Sequence, residues 1–134
     1  RAVAFNQHLN SWNTANVTDM SSMFESANAF NGDIKNWNTS NVTTFEFMFY
    51  DATAFNQDIG GWITTSATSM EATFQDAVLF NQDLSQWNTA NVTVMDGLFK
   101  NTLFNHDISG WNVSSVTDMI GVFQNSPFNH DISA

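Results

Sequence analysis

Along the chain, aromatic residues return at fixed steps and polar residues fill fixed positions between them. Phe5, Phe30, Phe55, Phe80, Phe104 and Phe128 follow one another at intervals of 25, 25, 25, 24 and 24, and Trp12, Trp37, Trp62, Trp87 and Trp111 keep the same step. A constant period of this length marks a stacked repeat, in which no unit buries its apolar face alone. The unit F-N-x-D-I/L-x-x-W-N-T-x-N-V-T-x-M-x-x-M-F-x-x-A-x fits five times, and a sixth copy begins. The one-residue contractions fall between Phe99 and Phe104 and between Phe123 and Phe128, a connecting loop where a stack tolerates them.

Two shorter periods alternate inside the unit. Phe30, Gly32 and Ile34 share one side of an extended segment while Asn31, Asp33 and Lys35 share the other, which predicts a short strand whose copies stack into a parallel sheet. Met20, Met23, Phe24 and Ala27 stand at i, i+3, i+4 and i+7, as do Phe45, Met48, Phe49 and Ala52, which predicts the apolar face of a short helix. Thr18, Thr43, Thr68, Thr93 and Thr117 occupy N-cap positions, and Thr43 with Glu46 and Thr68 with Glu71 have capping-box spacing. Asp19 and Asp118 in the first turn favour the positive end of such a helix. At about two turns these helices need tertiary burial to persist. The expected fold class is therefore an α/β repeat of about five coils, each with one short strand and one short helix.

Composition explains itself through these columns. Of 134 residues, 13 are Phe, 5 Trp and 6 Met, against one Tyr and one Pro. Charge excludes more. The net charge is -10, and Arg1, Lys35 and Lys100 are the only basic residues besides histidine, too few to neutralise a nucleic-acid backbone or an anionic lipid surface. No apolar run approaches a membrane span, and Arg1-Ala2-Val3-Ala4 is too short for a signal-peptide core. The absence of Cys removes disulfides, thiolate metal sites and Cys nucleophiles. Residues 1–134 open within a strand unit at Phe5 and stop within another at Ile132, with no polar cap. They read as a single uncapped array, a segment of a longer protein, prone to pair end to end or to aggregate.

The motif D-I-S-x-W-N-x-S-x-V-T-x-M-x-x-M-F, best seen from Asp107-Ile108-Ser109-Gly110-Trp111 to Thr117-Asp118-Met119, resembles the BspA-like leucine-rich-repeat surface proteins, whose repeat is a domain of unknown function abundant in mycoplasma lipoproteins. The resemblance covers essentially the whole chain. It implies a right-handed leucine-rich-repeat-like solenoid at the cell surface or secreted, with adhesion or partner binding as its use and no catalytic residues. The turn Glu25-Ser26-Ala27-Asn28-Ala29-Phe30 departs from the G-C-S-S-L-like turn of that family, and no N-terminal Cys is present for lipid attachment.

Candidate chemistry lies mainly on the polar side of the predicted strand. Asn31, Asn56, Asn81, Asn105 and Asn129 form one row, begun by Asn6, and Asp33, Asp58, Asp83, Asp107 and Asp131 form another. Like charges about 5 Å apart repel by about 0.8 kcal/mol in water, so the Asp row asks for compensation. Local backbone N–H groups or a stacked Asn ladder would supply it; Ca²⁺ shared between coils is the alternative, and gripping a partner a third. His106 and His130, each followed by Asp, could build a metal or catalytic site with Asp107 and Asp131. Their position, held elsewhere by Gln7, Gly32, Gln57 and Gln82, favours a surface histidine row.

The Trp column fits the core better than a sugar-stacking surface, and the Met set fits packing. Thr14, Thr39, Thr64 and Thr89 suggest a weak flat hydroxyl array of the ice-binding kind, interrupted by Val113. Asn16, Asn38, Asn41, Asn91 and Asn112 head Asn-x-Ser/Thr sequons, possible N-glycosylation sites that the repeat consensus also explains. No phosphate loop, nucleophile elbow or His-Glu-x-x-His motif is present. The expected function is a non-enzymatic extracellular or surface module without cofactor, for adhesion, protein or glycan binding, or structural assembly. A Ca²⁺-dependent stack using the Asp row is the alternative, and an enzyme using the His/Asp cluster the remote one.

Overall fold

The computed structural model describes residues 2–133. Five coils, 5–29, 30–54, 55–79, 80–103 and 104–127, lie on one another, and 128–133 begin a further one. The period is thus confirmed as a physical repeat: equivalent Phe, Trp and Met residues stack in columns.

The predicted helix and sheet are overturned. Among the described residues there is no helix, and pairing is limited to isolated parallel bridges linking Asp19, Thr44, Ser69, Val94 and Asp118 in succession. The α/β leucine-rich-repeat-like solenoid with a strand and a helix per coil is therefore not the architecture; the coil is built from turns.

Where the helix was expected, 21–26, 46–51, 71–76, 96–101 and 120–125 form runs of consecutive turns. Alternate peptides in each run point two ways. In coil 2, Met48, Tyr50 and Ala52 donate three residues back within the coil, to Phe45, Phe47 and Phe49, each at 3.0 Å. Phe45, Phe47, Phe49 and Asp51 instead donate to Ser69, Glu71, Thr73 and Gln75 of coil 3, at 2.9 to 3.2 Å. A helix cannot release alternate N–H groups to a neighbour. What prevents helix here is a left-handed residue at two places per run: Ser22 and Ser26, Phe47 and Asp51, Ala72 and Asp76, Gly97 and Asn101, Gly121 and Asn125, with φ between 48° and 65°.

The Thr column is no set of N-caps. Thr43, Thr68, Thr93 and Thr117 donate both N–H and hydroxyl to the carbonyl of the Thr one coil earlier, at 2.8 Å and 3.0 to 3.1 Å.

The extended Phe-to-Ile segments form no sheet because the N–H groups of Asn31, Asn56, Asn81, Asn105 and Asn129 go to side chains of the preceding coil rather than to its carbonyls. Behind them Phe30–Phe55 and Phe55–Phe80 stack at 5.9 Å with planes 3° and 4° apart, and Trp37–Trp62 at 6.2 Å and 6°.

The core is largely aromatic. Phe30, Phe55, Phe80 and Phe104 are fully buried, each in face contact at 3.8 to 3.9 Å with the Phe that closes the preceding turn run, namely Phe24, Phe49, Phe74 and Phe99. Such pairs add about 0.5–1.5 kcal/mol beyond burial. The Trp column belongs to this core in the inner coils, where Trp37, Trp62 and Trp87 are buried and Trp111 partly so, while Trp12 of coil 1 is exposed. Trp37, Trp62, Trp87 and Trp111 donate Nε1–H to the carbonyls of Leu9, Ile34, Ile59 and Leu84. Among the described residues no buried side-chain polar atom lacks a partner.

Candidate binding face

The Asn and Asp rows alternate with core residues Phe and Ile along each extended segment, so burying the apolar side turns both rows outward. Each Asn is half committed. The Oδ1 atoms of Asn6, Asn31, Asn56, Asn81 and Asn105 accept the backbone N–H of the equivalent Asn one coil later at 2.8 to 3.1 Å. These side-chain acceptors stand where carbonyls would stand in a backbone ladder. The resulting ladder is amide to backbone rather than amide to amide.

Each Asp is half committed as well. Asp33, Asp58, Asp83, Asp107 and Asp131 accept, through Oδ1, the N–H two residues on, at 2.9 to 3.1 Å. This closes the turn after the extended segment. The backbone N–H and hydroxyl of Ser85 hold Asp83 below the usual carboxylate range, those of Ser109 do the same for Asp107, and the hydroxyl and N–H of Ser133 for Asp131. Local backbone donors thus compensate the row's repulsion. Asp33 Oδ2 additionally accepts from Asn10 Nδ2 at 2.9 Å.

The histidines serve the stack too. His8 Nδ1 accepts the N–H of Asp33, and the Nε2 atoms of His106 and His130 lie 3.0 Å from the carbonyls of Asn81 and Asn105, to which they donate. Asp107, His130 and Asp131 border one shallow hollow with Ser109 and Ser133, but His106 is not among its walls. Among the described residues no group of three or more His, Asp or Glu is placed to hold a metal ion.

The remaining candidates separate by burial. Thr14, Thr39, Thr64 and Thr89 are buried, donating to the carbonyls of Asn38, Ile63, Asn88 and Asn112 in the next coil, so the array expected of them is not a surface. The sequon residues Asn16, Asn38, Asn41, Asn91 and Asn112 are all exposed. Asn41 and Asn91 commit Nδ2 to the carbonyls of Ala15 and Thr65, whereas Asn38 and Asn112 use only Oδ1, for Ser40 and Ser114.

A second polar row escaped the sequence reading. Burial, then Glu46, Asp96 and Asp118, push the Glu71 carboxyl above its ordinary value. Acidic residues at the same place in three successive units, Glu46, Glu71 and Asp96, were the available signal.

Two overlapping stretches, residues 1–83 and 58–134, match the family model described as "Mycoplasma protein of unknown function, DUF285". No curated protein and no solved structure matches the chain. No helix among the described residues is long and apolar enough to cross a membrane.

Proposed function

We propose, for a chain that belongs to the DUF285 family of Mycoplasma proteins of unknown function, a non-enzymatic module that binds a partner along its Asn/Asp face at a cell surface. The supporting observation is that in coils 3, 4 and 5 both rows are held rigid through Oδ1 of each side chain while the rest of the amide or carboxylate stays at the surface. A preorganised row loses little side-chain freedom on binding. The resemblance to BspA-like surface proteins supports the surface location, and the exposed face offers a partner contact without any enclosed pocket.

The test is a binding screen of the folded chain against immobilised glycans and extracellular-matrix proteins. Binding that is lost when Asp83 and Asp107 are replaced by Ala, with folding monitored by circular dichroism, is the expected result. Blank screens, or binding indifferent to those changes, would overturn the proposal.

A further inference from the structure

The two rows differ in what they offer. In the Asn row the fixed Oδ1 leaves Nδ2–H₂ turned away from the stack, and among the described residues Nδ2 of Asn56, Asn81 and Asn105 has no intramolecular acceptor. In the Asp row the backbone N–H fixes Oδ1 of Asp58, Asp83 and Asp107, and the second oxygen stays an acceptor at the surface, with the Ser85 and Ser109 hydroxyls beside the Asp83 and Asp107 carboxylates. Two residues apart on one side of an extended segment, a fixed donor and a fixed acceptor recur in coils 3, 4 and 5, at Asn56 and Asp58, Asn81 and Asp83, and Asn105 and Asp107.

We infer that this face binds a linear, neutral glycan lying along the stack axis, with vicinal hydroxyls accepting from Asn Nδ2 and donating to Asp Oδ2. The inference rests on the surface-binding reading above and narrows it. A hydroxyl both donates and accepts, so a polyol satisfies both rows at once, whereas an acceptor-only ligand satisfies the Asn row alone. A net charge of -10 and the carboxylate row disfavour sulfated or uronic-acid polymers. A linear glycan carries hydroxyls on every ring, so contacts repeat along the stack, and affinity grows with chain length as added rings meet further coils.

The experiment titrates the full chain by calorimetry with β-linked glucose oligomers of increasing length, and with an oligogalacturonide. Affinity rising about tenfold or more from dimer to hexamer, with the uronic polymer silent, is expected. Two isosteric double variants then separate hydrogen bonding from charge. Asn81→Asp with Asn105→Asp keeps both Oδ1 acceptors and removes the donors; Asp83→Asn with Asp107→Asn keeps both Oδ1 acceptors and removes the carboxylates. Both pairs should weaken binding about tenfold or more.

Opposite effects of the two pairs, tighter uronic binding, or length-independent affinity would overturn the glycan assignment. Should the oligomers be silent while a matrix protein binds and the same variants abolish that, the glycan class falls and the surface-binding reading survives. Silence of both removes both. Thermal melts of each variant identify any loss that comes from misfolding, and single substitutions at Asn105 and Asp107 then replace the pairs.

Discussion

The indole Nε1–H of Trp87 donates to the carbonyl of Ile59, 28 residues earlier, at 3.1 Å. The same side chain stacks on Trp62 at 6.4 Å, so one residue ties neighbouring coils by a polar and an apolar contact. Trp87→Phe keeps a ring in the column but leaves a void and removes one of the two hydrogen bonds that the Ile59 carbonyl accepts, the other coming from the Trp62 N–H. We expect a loss of about 2 kcal/mol in urea unfolding. An unchanged midpoint would show that the indole bond contributes nothing.

Gly97 has φ +62°, and a Cβ there would lie 2.7 Å from Gln75 Oε1, the far end of a flexible chain. Gly97→Ala should therefore cost about 1–2 kcal/mol, mainly from the left-handed backbone. Gly110, where nothing lies within 4 Å of an added Cβ and φ is ordinary, is the control. Gly110→Ala should be neutral or stabilise by a few tenths of a kcal/mol, and the two melts together separate backbone strain from bulk.

Glu71 is the group whose acidity should show in stability. Its folded value is raised above 4.5 by burial and by Glu46, Asp96 and Asp118. The folded state thus holds its proton more tightly than the unfolded chain, and stability gained below about pH 4.5 is lost as pH rises through the folded value. Glu71→Gln should stabilise the chain at pH 7 by a few tenths of a kcal/mol, discounted for solvent screening, and lose that advantage near pH 4. A constant difference across this range would refute the charge argument.

Asp19, Asp83, Asp107 and Asp131 titrate in the opposite sense. Hydrogen bonds from Ser21, Ser85, Ser109 and Ser133 lower their folded values below 3.8, so their contribution is present above pH 3.8 and disappears as pH falls through the folded values. Melting temperature should hold or rise slightly on mild acidification, through Glu71, and then fall below about pH 3.8. In this scheme Oδ1 is already occupied by backbone, and millimolar Ca²⁺ should leave the melting temperature unmoved. A rise of several degrees, reversed by chelator, would instead support a Ca²⁺-dependent stack.

Met23 of coil 1 is 39% exposed and Met119 of coil 5 is 45% exposed, although Met48, Met70 and Met95 in the same two columns are buried. We expect the chain to self-associate with rising concentration, and Met119→Lys to reduce the mass seen by light scattering. A monomer at all concentrations would count against it.

Period and core were legible in the residues because burial acts on side-chain type. Phe30, Trp37 and Met48 recur where the stack needs volume, whatever backbone carries them. Backbone conformation was not legible in the same way. Phe45, Met48, Phe49 and Ala52 satisfy a helical spacing, yet along a turn run all four are buried in the same core. Ser26, Asp51, Asp76, Asn101 and Asn125, aligned with one another and following Gly97 and Gly121 by four residues in the last two coils, were the overlooked indication of left-handed positions. Thr43 and Glu46 matched a capping box for the same reason: the pattern records spacing, while the hydroxyl's target lies one coil away. The local backbone donors weighed for the Asp row are found, being set by neighbours two residues on, whereas the bond of each Asn Oδ1 to the backbone of the next coil was not legible, because it depends on how the coils sit against one another.

The turn runs also make the molecule electrically directional. Four rows of peptides point their N–H groups from each coil toward the next, against two continuous rows that point back, one through Thr18, Thr43, Thr68, Thr93 and Thr117 and one through the Asn backbone of Asn31, Asn56, Asn81, Asn105 and Asn129. Peptide dipoles joined head to tail add. The backbone therefore carries a permanent moment along the stack, positive toward coil 5, of the kind a long helix has, in a protein that contains no helix among its described residues.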